Sequence, residues 1–554
     1  MKSIIWASCF AAFASTAAVA QPRAPEILPE APKLRPVLLP GGELRCYRTA
    51  GPKLVSLRSA DNGRTWGAPQ DECPLPQAMG GGVAALDKQG EIHVILMHAR
   101  GSGTPADTRF IDLWHCGTAE GRTKWTEPQR IWEGYCGSVM DVKVLSSGRL
   151  VVPFAAWKKP GEEVAKDTGS NYSTAVYSDD GGQTWTLSPS KLTAPCTAGY
   201  NGNNYGAIEP TILELKDGRV WMLMRTQAGM LYESFSKDGA EWSPAQPTKF
   251  RTSTSPAALE RLADGQIILF WNHCEMPPRH AGQGVYGGRD ALHAAITADE
   301  GRTWQGFREV YRDPRRNETP PKTGDRGTAY PLATTAQNGV VVLATGQGNR
   351  RNLLLIDPAW VTATEQTDDF SRGLGAWHIW KEFGPAAGFW RDRKSGPGLI
   401  DHPDEAGKKV LLIGRPDELD ADCASWNFPA ASRGKLTLRL MPREGWRGLS
   451  VALTDRFFNP GDDRGESAAV FCQQFGVGDL PSGKWTELTF EWDLARQACR
   501  VRRGGQAMAD LPLIASTKHG ISYLRLRSLA KQVDIAGCLV ESVSMAGELA
   551  PQQP

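Results

Sequence analysis

Ser59-Ala60-Asp61-Asn62-Gly63-Arg64-Thr65-Trp66, Ser178-Asp179-Asp180-Gly181-Gly182-Gln183-Thr184-Trp185 and Thr297-Ala298-Asp299-Glu300-Gly301-Arg302-Thr303-Trp304 spell one pattern three times. A shortened copy runs through Ser236, Asp238, Gly239 and Trp242, and a degraded one surrounds Glu120, Gly121 and Trp125. The acidic markers Asp61, Glu120, Asp180, Asp238 and Asp299 recur about every 60 residues, a period that belongs to propellers and arrays. The pattern is a hairpin staple. Asp and Ser side chains bond backbone groups of their own turn, Gly adopts angles other residues avoid, and Trp fills the space between neighbouring sheets. These residues are expected to be structural and to stay away from any ligand.

A second repeat is interleaved with the first. Two apolar runs flank a turn at Gly41-Gly42, Gln89-Gly90, Ser147-Gly148, Asp217-Gly218, Asp264-Gly265 and Asn338-Gly339, which predicts six hairpins. The fold class that follows is all-β, with a six-bladed β-propeller across residues 21–362. Four first strands open with X-Pro, at Arg35-Pro36, Glu209-Pro210, Ser255-Pro256 and Tyr330-Pro331. If the register repeats, Arg35, Glu209 and Tyr330 stand at equivalent places at the mouth of the central channel. The same reasoning puts Asp141, His98 and His273 at strand starts or ends near that mouth.

With these elements in place the chain resembles the sialidase superfamily of BNR (Asp-box) repeat proteins over the propeller. Arg35-Pro36-Val37 approximates the family's opening Arg-x-Pro strand. Glu209 starts a strand whose hairpin partner, Met222-Leu223-Met224-Arg225, ends in Arg. Arg289 stands upstream of the Thr297 box, and Ala329-Tyr330-Pro331 matches a Tyr on the last inner strand. The resemblance implies that Arg35, Arg225 and Arg289 bind a substrate carboxylate, a task suited to planar guanidinium groups. It implies Tyr330 as nucleophile and Glu209 as its base. A phenol is a weak nucleophile until a neighbouring base takes its proton. Sialidases are an exception to the two-carboxylate scheme of most glycosidases.

The resemblance has a gap. Sialidases carry an acid/base Asp between the first Arg strand and the first box, but Tyr47 to Ser59 contains no acidic residue. The acidic brace of the first Arg is also missing from Ala344-Thr345-Gly346-Gln347. Asp141 is therefore expected as the proton donor, with His98 and His273 as alternatives, and Asp290 as an orienting neighbour of Arg289. None of the histidines has metal-ligand spacing, so no metal or cofactor is expected.

After Asp357-Pro358 the boxes stop. Lys435–Leu440, Trp485–Phe490 and Ile521–Leu526 alternate in the manner of strands, which predicts a β-sandwich (jelly-roll) domain over 363–546 and a disordered tail over 547–554. Met1-Lys2, the apolar run Ile4–Ala20 and Ala18-Val19-Ala20 read as a signal peptide (1–20) for a secreted or periplasmic protein, with no later span for a membrane. Lys and Arg number 63 against 61 Asp and Glu, which argues against a nucleic-acid partner. Ten cysteines remain beyond the leader with no C-x-x-C pair; an even count permits disulfides whose pairing stays open. The expected function is an exo-sialidase-type glycoside hydrolase acting on an acidic glycan. A sialidase-like propeller acting on uronic-acid polysaccharide, as hydrolase or lyase, and a non-catalytic glycan binder are the alternatives.

Overall fold

The computed structural model describes residues 22–103, 108–159, 161, 171–195, 206–275, 288–314, 316–317, 327–347, 351–379, 381–382, 393–394, 396–418, 421–462 and 464–549. The expected leader, Cys196 and residues 550–554 lie outside the described residues. The architecture is all-β: propeller-like meanders followed by a second β unit. The two α-helices among the described residues, Pro358–Val361 and Arg464–Ser467, are single turns, and no described helix is long and apolar enough to cross a membrane.

Residues 26–356 form four four-stranded sheets and one ten-stranded sheet. The first sheet holds Pro36–Leu38, Leu44–Thr49, Lys53–Ser59 and Gln70–Pro74 in sequence order. The ten-stranded sheet runs from Gly80–Leu86 to Thr186–Leu187. Tyr135–Cys136 joins its two halves by pairing with Phe110–Ala119 on one side and Leu150–Lys158 on the other. Two more sheets follow, Ile208–Glu214 to Gln246–Arg251 and Ala258–Arg261 to Gln305–Arg312. The last sheet, Leu332–Thr335 to Asn352–Ile356, takes its outermost strand, Glu26–Leu28, from the N-terminal side.

All six expected hairpin turns form with one bonding pattern. Leu39 N donates to the Glu43 carbonyl at 2.8 Å while Gly42 N donates back to Leu39, and the arrangement recurs at 87–91, 145–149, 215–219, 262–266 and 336–340. The turn glycines have φ of +83° to +93°, the left-handed region that side chains avoid. The boxes bond internally. Asp61 Oδ1 accepts from Ser59 Oγ and Thr65 N, its Oδ2 accepts from Thr65 Oγ1 at 2.6 Å, and Trp66 Nε1 donates to the Gly63 carbonyl. Asp180 and Asp299 repeat this set. The bonds from Thr184 hold the Asp180 carboxyl down at about 2. At the degraded copy the carboxylate comes from another strand: Glu91 accepts from Thr118 Oγ1, Gly121 N and Arg122 N.

The box glycines Gly182, Gly239 and Gly301 each face an earlier strand of the chain. A Cβ on Gly182 would meet His115 at 2.5 Å, one on Gly239 would meet Val151 at 2.7 Å, and one on Gly301 would meet Trp221 at 3.3 Å. Gly63 of the first sheet faces Val342 of the last sheet at 3.1 Å in the same way.

Residues 365–548 make an eight-stranded and a five-stranded sheet around one apolar core that includes Trp377, Trp426, Trp446 and Trp492. The final strand, Asp534–Glu548, continues two residues past the expected domain end. This unit packs on strand Gln305–Arg312 through buried polar groups. Glu309 Oε1 accepts from Tyr523 OH at 2.5 Å and from His378 Nε2 at 2.9 Å, and Arg312 pairs with the other oxygen. Burial opposes this charge, but His378 and Arg312 hold the Glu309 carboxyl below the usual range. Because Tyr523 donates to Glu309, His293 Nε2 donates to the Tyr523 oxygen (2.6 Å), and His293 Nδ1 accepts from His273 N.

Burial drives the imidazoles of His115 and His293 down to about 3. Both are neutral in the folded protein, whereas an unfolded His protonates below about 6.5. The stability they contribute is full above that value and falls as pH drops toward 3, by about 2 kcal/mol per group at pH 5. Urea unfolding at pH 7 and pH 5 is expected to show this loss. His115→Asn is expected to flatten the profile by one group's share, and an unchanged slope counts against the assignment.

Candidate functional site

The hairpin register brings side chains from distant parts of the chain to one end of the sheets. Tyr330 OH donates to Glu209 Oε1 at 3.2 Å, across 121 residues of sequence. Arg225 Nη1 donates to Glu209 Oε2 at 2.7 Å and lies 3.4 Å from the Tyr330 oxygen. The Arg289 guanidinium sits 5.3 Å from the Tyr330 ring centroid, within range of a cation–π contact. Thr254 joins the two arginines: its hydroxyl accepts from Arg225 Nε and its carbonyl from Arg289 Nη2. Ser138 Oγ donates to Glu209 at 3.3 Å, and Arg351 Nη2 donates to the Tyr330 carbonyl.

Backbone strain aims the central pair. Glu209 has φ +49° and Tyr330 φ +64°, left-handed values that are rare away from glycine. Each precedes a proline, which narrows its choices further. Side chains of order 1–3 kcal/mol out of their preferred backbone region persist only where the surroundings hold them. Here the surroundings are the Glu209–Arg225 ion pair, with side chains 9% and 5% exposed, and the Tyr330 phenol that bonds it.

Arg35 and Asp141 form a second set. Arg35 Nη1 donates to Asp141 Oδ1 at 2.5 Å. The other Asp141 oxygen accepts from Thr211 Oγ1 and Ile212 N, both on strand Ile208–Glu214, which also carries Glu209. That strand links the two sets. Burial would push the Asp141 carboxyl up, but Lys143 and Arg35 and these hydrogen bonds hold it below the usual range. The sequence suggests Asp141 as proton donor; its bonds to Arg35, Thr211 and Ile212 favour its carboxylate form. It supplies the acidic brace for Arg35 that the sequence lacks after Tyr330.

The alternatives differ in fate. His273 is fully buried against the second β unit, its ring nitrogens facing the carbonyls of Arg251 and Asp455. Interface packing accounts for it. His98 is half-buried, and its Nδ1 lies 3.1 Å from the Ala78 carbonyl, just before strand Gly80–Leu86. Asp290 is buried beside Arg289. Thr254, Ser138 and Arg351 escaped the sequence reading. Thr254 lies in Thr252-Ser253-Thr254-Ser255-Pro256, where the X-Pro signal pointed one residue away.

The BNR repeat-like domain family matches residues 74–343. Residues 74–343 therefore carry a BNR repeat-like domain. No curated protein matches it. Among solved structures, a Trypanosoma rangeli sialidase in complex with sialic acid is 13% identical, with 93% of this chain and 91% of that one covered and a TM-score of 0.39. A Dyadobacter fermentans protein of unknown function is 16% identical over 61% of this chain and 99% of that one, with a TM-score of 0.39. A complex of NanB with optactamide is 14% identical over 61% and 68%, with a TM-score of 0.38.

Elsewhere in the chain, His402, Glu405 and Glu541 bring possible metal ligands within 4.8 Å of one another. His402 Nδ1 accepts from the backbone of Asp404 and Glu405, so its proton sits on Nε2, facing Glu541. Lys408 and Arg439 already neutralise Glu541. This arrangement is an ion-pair cluster.

The buried Glu209–Arg225 pair has an energetic signature. Arg225→Met leaves a carboxylate without its partner and is expected to cost about 3–5 kcal/mol. Adding Glu209→Gln is expected to restore part of that loss. A double-mutant cycle from urea unfolding checks it, and simple additivity counts against the pair.

Proposed function

We propose that the chain is a secreted glycosidase that removes a terminal acidic sugar, sialic acid first, from a glycan. In this reading the ten-stranded sheet is two blades, so that residues 21–362 form a six-bladed propeller and 363–546 a jelly-roll sandwich. The observation that carries the proposal is the phenol of Tyr330 within hydrogen-bond reach of Glu209 and Arg225 at one end of the sheets. Glu209 takes the phenolic proton as the oxygen attacks the anomeric carbon, and Arg225 stabilises the charge that develops. Arg35, Arg225 and Arg289 bind the carboxylate of the sugar. Asp141 acts through Arg35, holding it extended toward that carboxylate. His98 serves as proton donor to the leaving group, a task for which imidazole is suited near neutral pH.

One observation favours a second reading. Tyr47 to Ser59 holds no acidic residue, and Asp141 is committed to Arg35. An enzyme that abstracts a proton from a uronic acid and eliminates the leaving group needs the tyrosine, a base and the arginines, and makes less demand on a separate acid.

Release of the aryl alcohol from an aryl sialoside separates the readings. The wild-type protein is expected to turn it over, with kcat lowered at least about 10²-fold in Tyr330→Phe and in Glu209→Gln. Folded protein inert toward sialosides and other 2-keto acid glycosides ends the first reading. The ultraviolet absorbance of an unsaturated uronate, released from a uronic-acid polysaccharide, establishes the second.

A further inference from the structure

Nine cysteines lie among the described residues, and none of them is joined in a disulfide there. Cys73 lies on Gln70–Pro74, the outer strand of the first sheet, and Cys116 on Phe110–Ala119 in the ten-stranded sheet. Both belong to the apolar cluster between the two sheets, Cys116 fully buried and Cys73 packed against it while partly open to solvent.

A bulge creates the meeting. Leu54 pairs with Cys73 and Val55 with Asp71, so Glu72 is the extra residue of its strand. Bulges re-aim side chains. Here Glu72 reaches the next sheet, where its carboxylate accepts from Trp125 Nε1 at 3.1 Å. Trp125 pairs with Thr118, two residues beyond Cys116, and its ring meets Tyr47 edge-on. These contacts fix the seam at which Cys73 packs against the apolar cluster that holds Cys116, and where each thiol shifts the other's ionisation.

We propose that Cys73 and Cys116 are a modification site: a dithiol that closes into a disulfide stapling the first sheet to the ten-stranded sheet. The oxidant is a small-molecule disulfide or the disulfide of a thiol oxidase. The Cys73 thiolate attacks one sulfur of that disulfide, forming a mixed disulfide and releasing a thiolate. Cys116 then loses its proton and attacks the Cys73 sulfur, releasing the second thiolate. The two protons lost by the cysteines end on the two released thiols, so two thiols are oxidised as one disulfide is reduced. The order follows from access. Cys73 is the member open to solvent, and the neighbouring Cys116 thiol holds its pKa below the usual thiol range. The same pairing, with burial, holds the Cys116 thiol well above it, so Cys116 acts second, inside the seam. Five residues past Cys73, the Ala78 carbonyl bonds His98, and Thr49 Oγ1 holds the Met79 carbonyl. The staple therefore anchors the segment that bonds His98.

The test uses the full chain, reduced and then incubated with oxidised glutathione, alkylated, and digested without reduction for mass spectrometry. A peptide carrying Cys73 joined to one carrying Cys116 is expected. Oxidation should raise the melting temperature by about 5 °C, a shift absent from both Cys73→Ser and Cys116→Ser. Free, alkylated Cys73 and Cys116 after oxidation overturn the proposal. So does Cys73 stopping as its glutathione adduct, or either cysteine linking elsewhere. The peptide map of the unsubstituted protein decides the matter even if a serine variant does not fold.

Discussion

A carboxylate accepting hydrogen bonds from its own turn is the constraint on which the first 356 residues depend. Asp61, Asp180 and Asp299 each tie a Ser or Thr, a backbone amide and a second hydroxyl into one rigid corner. The corner fixes a glycine at positive φ, and the bare Cα of that glycine lets neighbouring strands approach. A methyl group there would overlap His115 or Val151, so the repeat dictates sheet spacing as well as turn shape. Gly63 against Val342 extends the same contact from the last sheet to the first, and the strand Glu26–Leu28 adds a hydrogen-bonded closure. Residues far apart in sequence are then held at fixed separations.

Rigid spacing is what makes strained side chains useful. Glu209 and Tyr330 both sit at left-handed angles immediately before a proline. Neither would keep that geometry in a loose loop, because relaxing φ would relieve the strain. Each is held by several partners: Glu209 by Arg225 of its own sheet and by Tyr330 and Ser138, and Tyr330 by Arg289 and Arg351. Thr254 adds a shared support for Arg225 and Arg289, so the position of one guanidinium constrains the other.

Local signals were legible in the sequence, and long-range partners were not. The boxes and the six Gly turns are written in consecutive residues, and their bonding follows from backbone chemistry within five positions. Arg225, Glu209 and Tyr330 could be placed because the hairpin register repeats. The partner of Arg35 could not, since Asp141 is 106 residues away and reaches it across the sheets. An Asp at a strand start looks the same in sequence whether it donates a proton or braces an arginine; its neighbours Lys143, Thr211 and Ile212 decide. His273 failed for a similar reason, because the unit that buries it begins some 90 residues later in the chain. Glu91 standing in for the missing box Asp shows the converse: the turn kept its carboxylate and lost the local spelling.

The choice of a phenol at the centre follows from the company it keeps. Arg225 lies 3.4 Å from the Tyr330 oxygen, Arg289 lies beside its ring, and Arg351 bonds its carbonyl. A carboxylate in that place would pair with these guanidinium groups in the resting protein and compete with any acidic ligand for them. A phenol forms no such ion pair, and it leaves Glu209 as the carboxylate that Arg225 holds. In the proposed reaction Glu209 takes the phenolic proton, and the charge that appears on oxygen meets a guanidinium already in position, so that its stabilisation costs no rearrangement. In that proposed reaction the arginines do two things at different moments, holding the ligand first and the nucleophile's charge second, and tyrosine is a side chain that permits both.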